Sequence, residues 1–444
     1  MAGEIAHPLI VPLPWLAAPA GRALRALVLA RLRAMWTRTG AERLDLVLPS
    51  GEIERLGAGR LDGGRESAAG HDEPRHDEPR HDVDSEAEVA RATSAVPRAR
   101  IHDDRLFVRM LLRGELGAGE SFVAGEWSAD DLVGVLRAFL RATSASGVES
   151  PLTRIAQLPA LLRHRRAANT HAGSQRNVHA HYDLGNAFYQ LFLDTDTLAY
   201  SCALWPDPAA SLADAQRAKL DRLCDWLALS PRDHVLEIGC GWGGMAIHAA
   251  RTRRCRVTAI TVSREQHELA AARVAAAGLA DRVAIEYRDY RSLSGTFDKI
   301  VSIEMLEQVG FEFLPHFFAT CASVLAPGGT LAVQTITMPD ERFAAYRRSV
   351  DWMQTYIFPG TLIPSLGAIR AACAPFSIVR SDDIGPHYAP TLQAWRERFV
   401  AALPAVRALG FDAPFIRTWL LYLAFSEAAF SERTLGDHQL LLAR

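Results

Sequence analysis

An α/β fold built on a doubly wound, mostly parallel sheet, with a smaller α+β domain ahead of it, is predicted by three features of this 444-residue chain. From about Leu220 onward, apolar strand-like segments alternate with helical patterns. The first of those segments, Val235 to Ile238, runs into Gly239, Gly241, Gly243 and Gly244, a tight strand-to-helix turn that lets a ligand approach the backbone. Finally, a Ser/Gly/Pro stretch from Ser144 to Pro151 and the basic run Arg163-His-Arg-Arg166 separate an N-terminal unit from everything that follows. The expected division is residues 1–145, a linker at 146–178 and a larger domain at 179–444.

Composition narrows the function classes. Lys+Arg 49 against Asp+Glu 51 gives a formal net charge of -2, so no global field points to nucleic acid. Cys202, Cys224, Cys240, Cys255, Cys321 and Cys373 contain no C-x-x-C pair and no zinc spacing, which suits buried thiols in a reducing compartment. The first residues lack the pattern of a secretory signal, and no apolar run reaches the roughly 18 residues of a membrane span. A cytoplasmic protein is expected.

Taken in order, Gly21–Thr37 reads as an amphipathic helix, with Leu24, Leu27, Val28, Leu32 and Met35 near one face and arginines interleaved. That face can lie on anionic lipid or pack on its own domain. Leu44–Leu48 looks like a strand entering the turn at Pro49-Ser-Gly51. Residues 59–98, with the repeats His71-Asp-Glu-Pro-Arg and His76-Asp-Glu-Pro-Arg, bury too little apolar surface to offset chain entropy and read as a disordered insertion. Arg105–Leu112 has strand character, Gly117-Ala-Gly119 marks a turn, and Asp130–Arg141 reads as a helix with Ser128 as N-cap. Further strands are predicted at Val235–Ile238, Val257–Thr261, Ala284–Tyr287, Ile300–Ile303 and Leu331–Ile336, with helices such as Arg264–Ala276 and Glu312–Leu325 between them. Their carboxyl ends carry Gly239–Gly244, Thr261-Val-Ser263, Asp289-Tyr290, Glu304–Glu307 and Gln334–Thr337 on one rim, where open α/β sheets bind ligands.

The turn itself spells Glu237-x-Gly239-x-Gly241-x-Gly243, which differs from the G-x-G-x-x-G of hydride cofactors and resembles the first motif of class I S-adenosylmethionine methyltransferases. Four more motifs accompany it: His181-Tyr-Asp-Leu-Gly-Asn, Tyr200-Ser-Cys-Ala, Thr261-Val-Ser-Arg-Glu-Gln and Ser302-Ile-Glu-Met-Leu-Glu-Gln-Val-Gly. In this order they resemble the cyclopropane-fatty-acyl-phospholipid synthase family, strongly over residues 178–444 and weakly through Gly117–Trp127. Leu325-Ala-Pro-Gly-Gly329, Tyr356-Ile-Phe-Pro-Gly360, Tyr388 and Gly436-Asp-His-Gln439 extend the likeness.

The resemblance implies a class I methyltransferase that moves a one-carbon unit from S-adenosylmethionine to the cis double bond of an unsaturated acyl chain in a phospholipid, forming a cyclopropane. The arginine-flanked helix and the basic linker lead us to expect the enzyme peripherally on the inner face of the membrane, and a homodimer is admitted. An alkene is a weak nucleophile, so such a site must align its π-face and exclude water from the cation that forms. Phe188, Tyr189, Trp205 and Tyr356–Phe358 are candidate walls. By resemblance Tyr200, Ser201, Gly239, Gly241, Thr261, Gln266, Asp289 and Tyr290 bind the cofactor, while Cys202, Glu307 and Tyr388, with the Ile336 backbone, hold a bicarbonate that acts as base.

Two positions depart from the family's commoner pattern. Gln334 stands where many members have histidine, and Glu307-Gln308 replaces Glu-His. Glutamine donates and accepts hydrogen bonds but takes up no proton near neutrality. The variant also resembles relatives that leave a 10-methylene branch, so that product is the first alternative. A non-catalytic lipid-binding protein on the same fold is the second. Cys202 as a covalent nucleophile has no activating histidine assigned beside it.

Overall fold

The computed structural model describes residues 18–57, 96–144 and 184–444. The disordered insertion expected at 59–98, the linker at 146–178 with its basic run, and His181 to Asp183 of the first motif fall outside the described residues, wholly or nearly so. The chain divides into two compact units, Pro12–Glu149 and a larger one that contains Ser150–Arg444.

The smaller unit carries a four-stranded sheet of order β2-β1-β3-β4, formed by β1 Leu44–Val47, β2 Ile53–Leu56, β3 Arg98–Ile101 and β4 Trp127–Ala129. The helix Ala18–Thr39 buries Val28, Leu29, Leu32 and Trp36, and its Arg25 and Arg33 pair with Asp104 and Glu54 of the same unit. Of the two readings of this helix, packing on its own domain is therefore the one realised.

Three local expectations are corrected here. Arg105–Leu112 is not a strand but the helix Arg105–Arg113, which buries Leu106, Phe107 and Arg109. A run such as Leu-Phe-Val-Arg-Met-Leu-Leu fits either period, and the Arg109 guanidinium, tied to buried Glu126 at 3.1 Å, decides it. Gly117 and Gly119 are not a turn but lie inside the helix Glu115–Val123. A Cβ at Gly117 would stand 2.1 Å from the Arg109 carbonyl oxygen, so glycine is there for close helix contact. The next helix begins at Leu132, with Asp131 Oδ1 accepting the Gly134 N–H, while Ser128 sits in β4 and bonds His102.

The larger unit is a seven-stranded sheet of order β10-β11-β9-β8-β5-β6-β7. Its strands are β5 His234–Ile238, β6 Arg256–Thr261, β7 Val283–Tyr287, β8 Phe297–Ile303, β9 Leu325–Thr337, β10 Ser377–Asp383 and β11 Gly436–Ala443. β5 to β9 are mutually parallel and β11 runs antiparallel between β9 and β10. Apolar clusters cover both faces: Leu331 and Val333 belong to the one with Phe317 and Phe318, Ala332 to the one with Leu220 and Leu223. This is the doubly wound α/β fold that the sequence predicts, with the antiparallel strand pair β10 and β11 at its end. Gln334 follows Ala332 at strand spacing, so it continues the face covered by the helix Leu212–Trp226.

Candidate active site

The glycine turn after β5 forms the floor of a pocket. Gly239 and Gly241 have φ +83° and +52°, and a Cβ on Gly239 would lie 2.9 Å from Met305 Cγ, so the backbone is bare where it meets the pocket. Tyr200, Ser201, Thr261, Gln266, Asp289 and Tyr290 line the same pocket, as do Glu237, Lys219, Glu304 and Met305. All eight residues expected at the cofactor thus share one cavity. A hydroxyl, an amide, backbone N–H groups at a helix start and a buried carboxyl match the polar groups of S-adenosylmethionine. Glu237 contributes a buried Oε2 with no hydrogen-bond partner, and burial pushes its carboxyl up to about 8.

The walls are tied to each other. Thr261 Oγ1 and Gln266 Oε1 are 2.9 Å apart, and Ser263 N–H donates to Thr261 Oγ1. Asp289 receives the Arg291 N–H at 2.9 Å and its guanidinium at 2.7 Å, so this carboxylate orients its own loop. Tyr200 Oη bonds Tyr422 Oη at 2.7 Å. Among the expected aromatic walls, Phe188 is fully buried core between Trp419 and Phe415. Phe358 stacks edge-on against Tyr422, 5.5 Å away.

Behind the pocket lies a second polar cluster, and Glu304 joins the two. This residue follows β8 with φ +48°, a left-handed conformation uncommon for a side chain with a Cβ. The twist aims its carboxyl at three donors: Cys202 N–H at 2.7 Å, Tyr388 Oη at 2.7 Å and Gln334 Nε2 at 2.9 Å. The β9–β11 register sets Gln439 opposite Gln334, and the Gln439 amide donates to Gln334 Oε1 at 3.0 Å. From the other side the fully buried Lys219 reaches Ser201 Oγ at 2.6 Å, its ammonium pushed down by burial and held up by Glu304.

The residues expected to hold bicarbonate do not act as one set. Cys202, Tyr388 and Gln334 converge on Glu304, whereas Glu307 turns away to the Ile336 N–H at 2.5 Å and Thr335 Oγ1 at 2.9 Å. Burial, then the nearby Glu304, pushes the Glu307 carboxyl up to about 8. A bicarbonate does not fit this arrangement, because the donors that would grip it already point at a carboxylate of the chain. The Cys202 thiol is fully buried, and its Sγ faces the Ala203 and Ile384 carbonyls. Burial, then Asp437 and Glu304, pushes it well above the usual thiol range, which excludes a resting thiolate nucleophile.

Sequence reasoning missed Glu304, Lys219 and Asp437 as functional candidates. Glu304 was legible only as one of several acids at a strand end; Lys219 gave no signal beyond a polar residue in an amphipathic helix.

Against known proteins, the family described as mycolic acid cyclopropane synthetase matches residues 169–440. The chain is 42% identical over 364 residues to the tuberculostearic acid methyltransferase UfaA1 of Mycobacterium tuberculosis, covering 80% of this chain and 84% of that one. It is 35% identical over 364 residues to the cyclopropane-fatty-acyl-phospholipid synthase of Escherichia coli, covering 81% and 91%. Among solved structures, the mycolic acid cyclopropane synthase CmaA1 with SAH and CTAB aligns at TM-score 0.57 and 29% identity over 61% of this chain and 98% of that one. Together with the glycine-floored pocket, these likenesses identify the chain as a member of the cyclopropane synthase family and an S-adenosylmethionine-dependent methyltransferase of unsaturated lipids.

Proposed function

We propose that this enzyme methylates the cis double bond of an unsaturated fatty acyl chain in a phospholipid, and that Glu304, not a bound bicarbonate, removes a proton from the transferred methyl. The observation that carries this reading is the convergence of the Cys202 N–H, Tyr388 Oη and Gln334 amide on the Glu304 carboxyl at the pocket wall. S-Adenosylmethionine, when bound over Gly239 and Gly241, supplies an electrophilic methyl group.

The alkene π pair forms the new carbon–carbon bond, and the neighbouring carbon is left as a cation. Glu304 takes a proton from the added methyl, whose C–H electron pair stays on carbon. If that pair closes onto the cation directly, a cyclopropane results. If a hydride first migrates from the methyl-bearing carbon to the cation, the same deprotonation leaves an exocyclic methylene. In both routes the donors around Glu304 orient its carboxyl and limit the water that could trap the cation.

The methylene-branched product is the first reading, supported by 42% identity to a tuberculostearic acid methyltransferase and by Gln334 in place of histidine. The cyclopropane is the second, favoured by the Escherichia coli relative at 35%. Proton NMR of lipids from an expressing host separates them, since vinylidene protons and ring methylene protons resonate at opposite ends of the spectrum. Unchanged lipids would overturn both. Among the described residues no helix is long and apolar enough to cross a membrane, so a phospholipid substrate implies docking at a bilayer surface, which vesicle sedimentation tests.

A further inference from the structure

Gln334 has more acceptors within reach than protons to give them. Its Nε2 lies 3.2 Å from the Cys202 carbonyl oxygen, 2.9 Å from Glu304 Oε1 and 3.1 Å from Asp437 Oδ2. Its Oε1 accepts from Gln439, which fixes the end of the amide that faces the carboxyls. A primary amide carries two N–H bonds. Three oxygens therefore share two N–H bonds, and two of the three are carboxyl oxygens gathered at one buried nitrogen. Two carboxylates so placed would repel each other, so one of the two carboxyls is an acid.

Asp437 is that acid. It is fully buried, and its Oδ1 has no hydrogen-bond partner, an arrangement far costlier for an ionised carboxylate than for a neutral carboxyl. Glu304, half-buried, collects three donors and suits the anion. Both carboxyls reach the same Gln334 nitrogen, which brings them side by side.

We infer that Glu304 and Asp437 form a carboxyl pair that shares one proton, with Asp437 the positioning acid that keeps Glu304 aimed at the substrate as acceptor. The inference rests on the reading of Glu304 as base. In turnover the substrate C–H bond breaks, its electron pair stays on carbon and the proton lands on Glu304; the pair then holds two protons and releases one to solvent before the next cycle.

The surroundings fit a pair with one negative charge. Lys219 brings an ammonium from the helix Leu212–Trp226, and Tyr388 brings a neutral hydroxyl from the helix Tyr388–Ala401. Glu307, pushed up to about 8, and the Cys202 thiol, pushed well up, stand nearby, while Asp383 at the end of β10 approaches the Asp437 N–H at 3.4 Å and His438 follows on β11. Burial, then Glu304 and Glu307, pushes the Asp437 carboxyl well up. One cation among several acids leaves room for one ionised carboxylate.

Infrared spectroscopy of the whole enzyme with isotope-labelled aspartate reads the proton directly. At mildly alkaline pH we expect a protonated aspartate carbonyl band that Asp437→Asn removes; Asp351, pushed up to about 6, is ionised there. Absence of that band in the wild type overturns the inference without recourse to a variant. In kinetics, Asp437→Asn keeps an N–H donor toward Glu304 but never ionises. Its kcat should fall by about tenfold with both KM values unmoved, and the alkaline decline of kcat should disappear. An alkaline limb shared by wild type and Asp437→Asn also overturns it. Glu304→Gln with wild-type turnover and the aspartate band intact would sink the base assignment alone.

Discussion

The Tyr388 hydroxyl donates to Glu304 Oε2 at 2.7 Å across 84 positions of chain, and Tyr388 is itself buried. Burial, then the charge of Glu304, pushes the tyrosine well above its ordinary range, so it stays a donor throughout the working pH range. Tyr388→Phe removes one of the donors that orient the carboxyl. A hydrogen bond to a charged group is worth about 1.5–3 kcal/mol, so kcat should drop roughly ten- to hundredfold. Because Tyr388 does not line the cofactor pocket, KM for S-adenosylmethionine should hold. Steady-state kinetics checks both, and a change confined to KM would contradict the geometry.

Glu304 and Glu307 stand three positions apart and should respond differently to the same substitution. Glu304→Gln removes the proposed acceptor of the substrate proton, and turnover should fall about 10²- to 10⁴-fold. Glu307→Gln replaces a carboxyl already pushed up to about 8 with a neutral isostere that still accepts from Ile336 N–H, so it should retain most activity. Parallel assays of the two purified variants, with calorimetry to confirm cofactor binding, decide between them.

Stability should fall with rising pH because of Glu237. Its folded-state value of about 8 lies above the ordinary 4.5, so the folded chain holds a proton that the unfolded chain has released. The neutral form's contribution is complete below about 4.5 and is lost progressively toward 8, at roughly 1 kcal/mol per pH unit. Glu237→Gln should therefore melt higher than wild type by a margin that widens across that window. A margin independent of pH, in thermal scans at matched ionic strength, would count against the burial argument.

In the smaller unit, Gly117→Ala places a methyl group 2.1 Å from the Arg109 carbonyl oxygen. The two helices must separate, and the Arg109–Glu126 ion pair is strained with them. A loss of about 2–4 kcal/mol is expected by denaturant unfolding. Gly185→Ala, where the added group meets nothing within 4 Å but φ is +83°, should cost less.

The sheet and the cofactor pocket were readable because their signals are local. Val235–Ile238 followed by glycines can hardly be anything but a strand feeding a turn, and helices separate β5 from β6, β6 from β7 and β8 from β9, with a short 3-10 turn between β7 and β8. Arg105–Arg113 was misread because its apolar run fits both periods and only the partner Glu126 resolves it. The buried cluster was beyond sequence reasoning for another reason. Cys202 and Glu304 lie 102 positions apart, Gln334 and Asp437 103, and a positive φ at Glu304, which no propensity favours, turns the carboxyl among them. Resemblance pointed to Glu307 because it follows the motif, whereas the backbone twist hands the central place to its neighbour.

That twist at Glu304 has a consequence for how the enzyme lives with its surroundings. A base borrowed from solution comes and goes with dissolved carbon dioxide, and its occupancy has to be maintained. On the proposed role of Glu304, a carboxylate bonded to the chain is present at one equivalent in every molecule, so degassed, carbonate-free buffer should leave turnover unchanged.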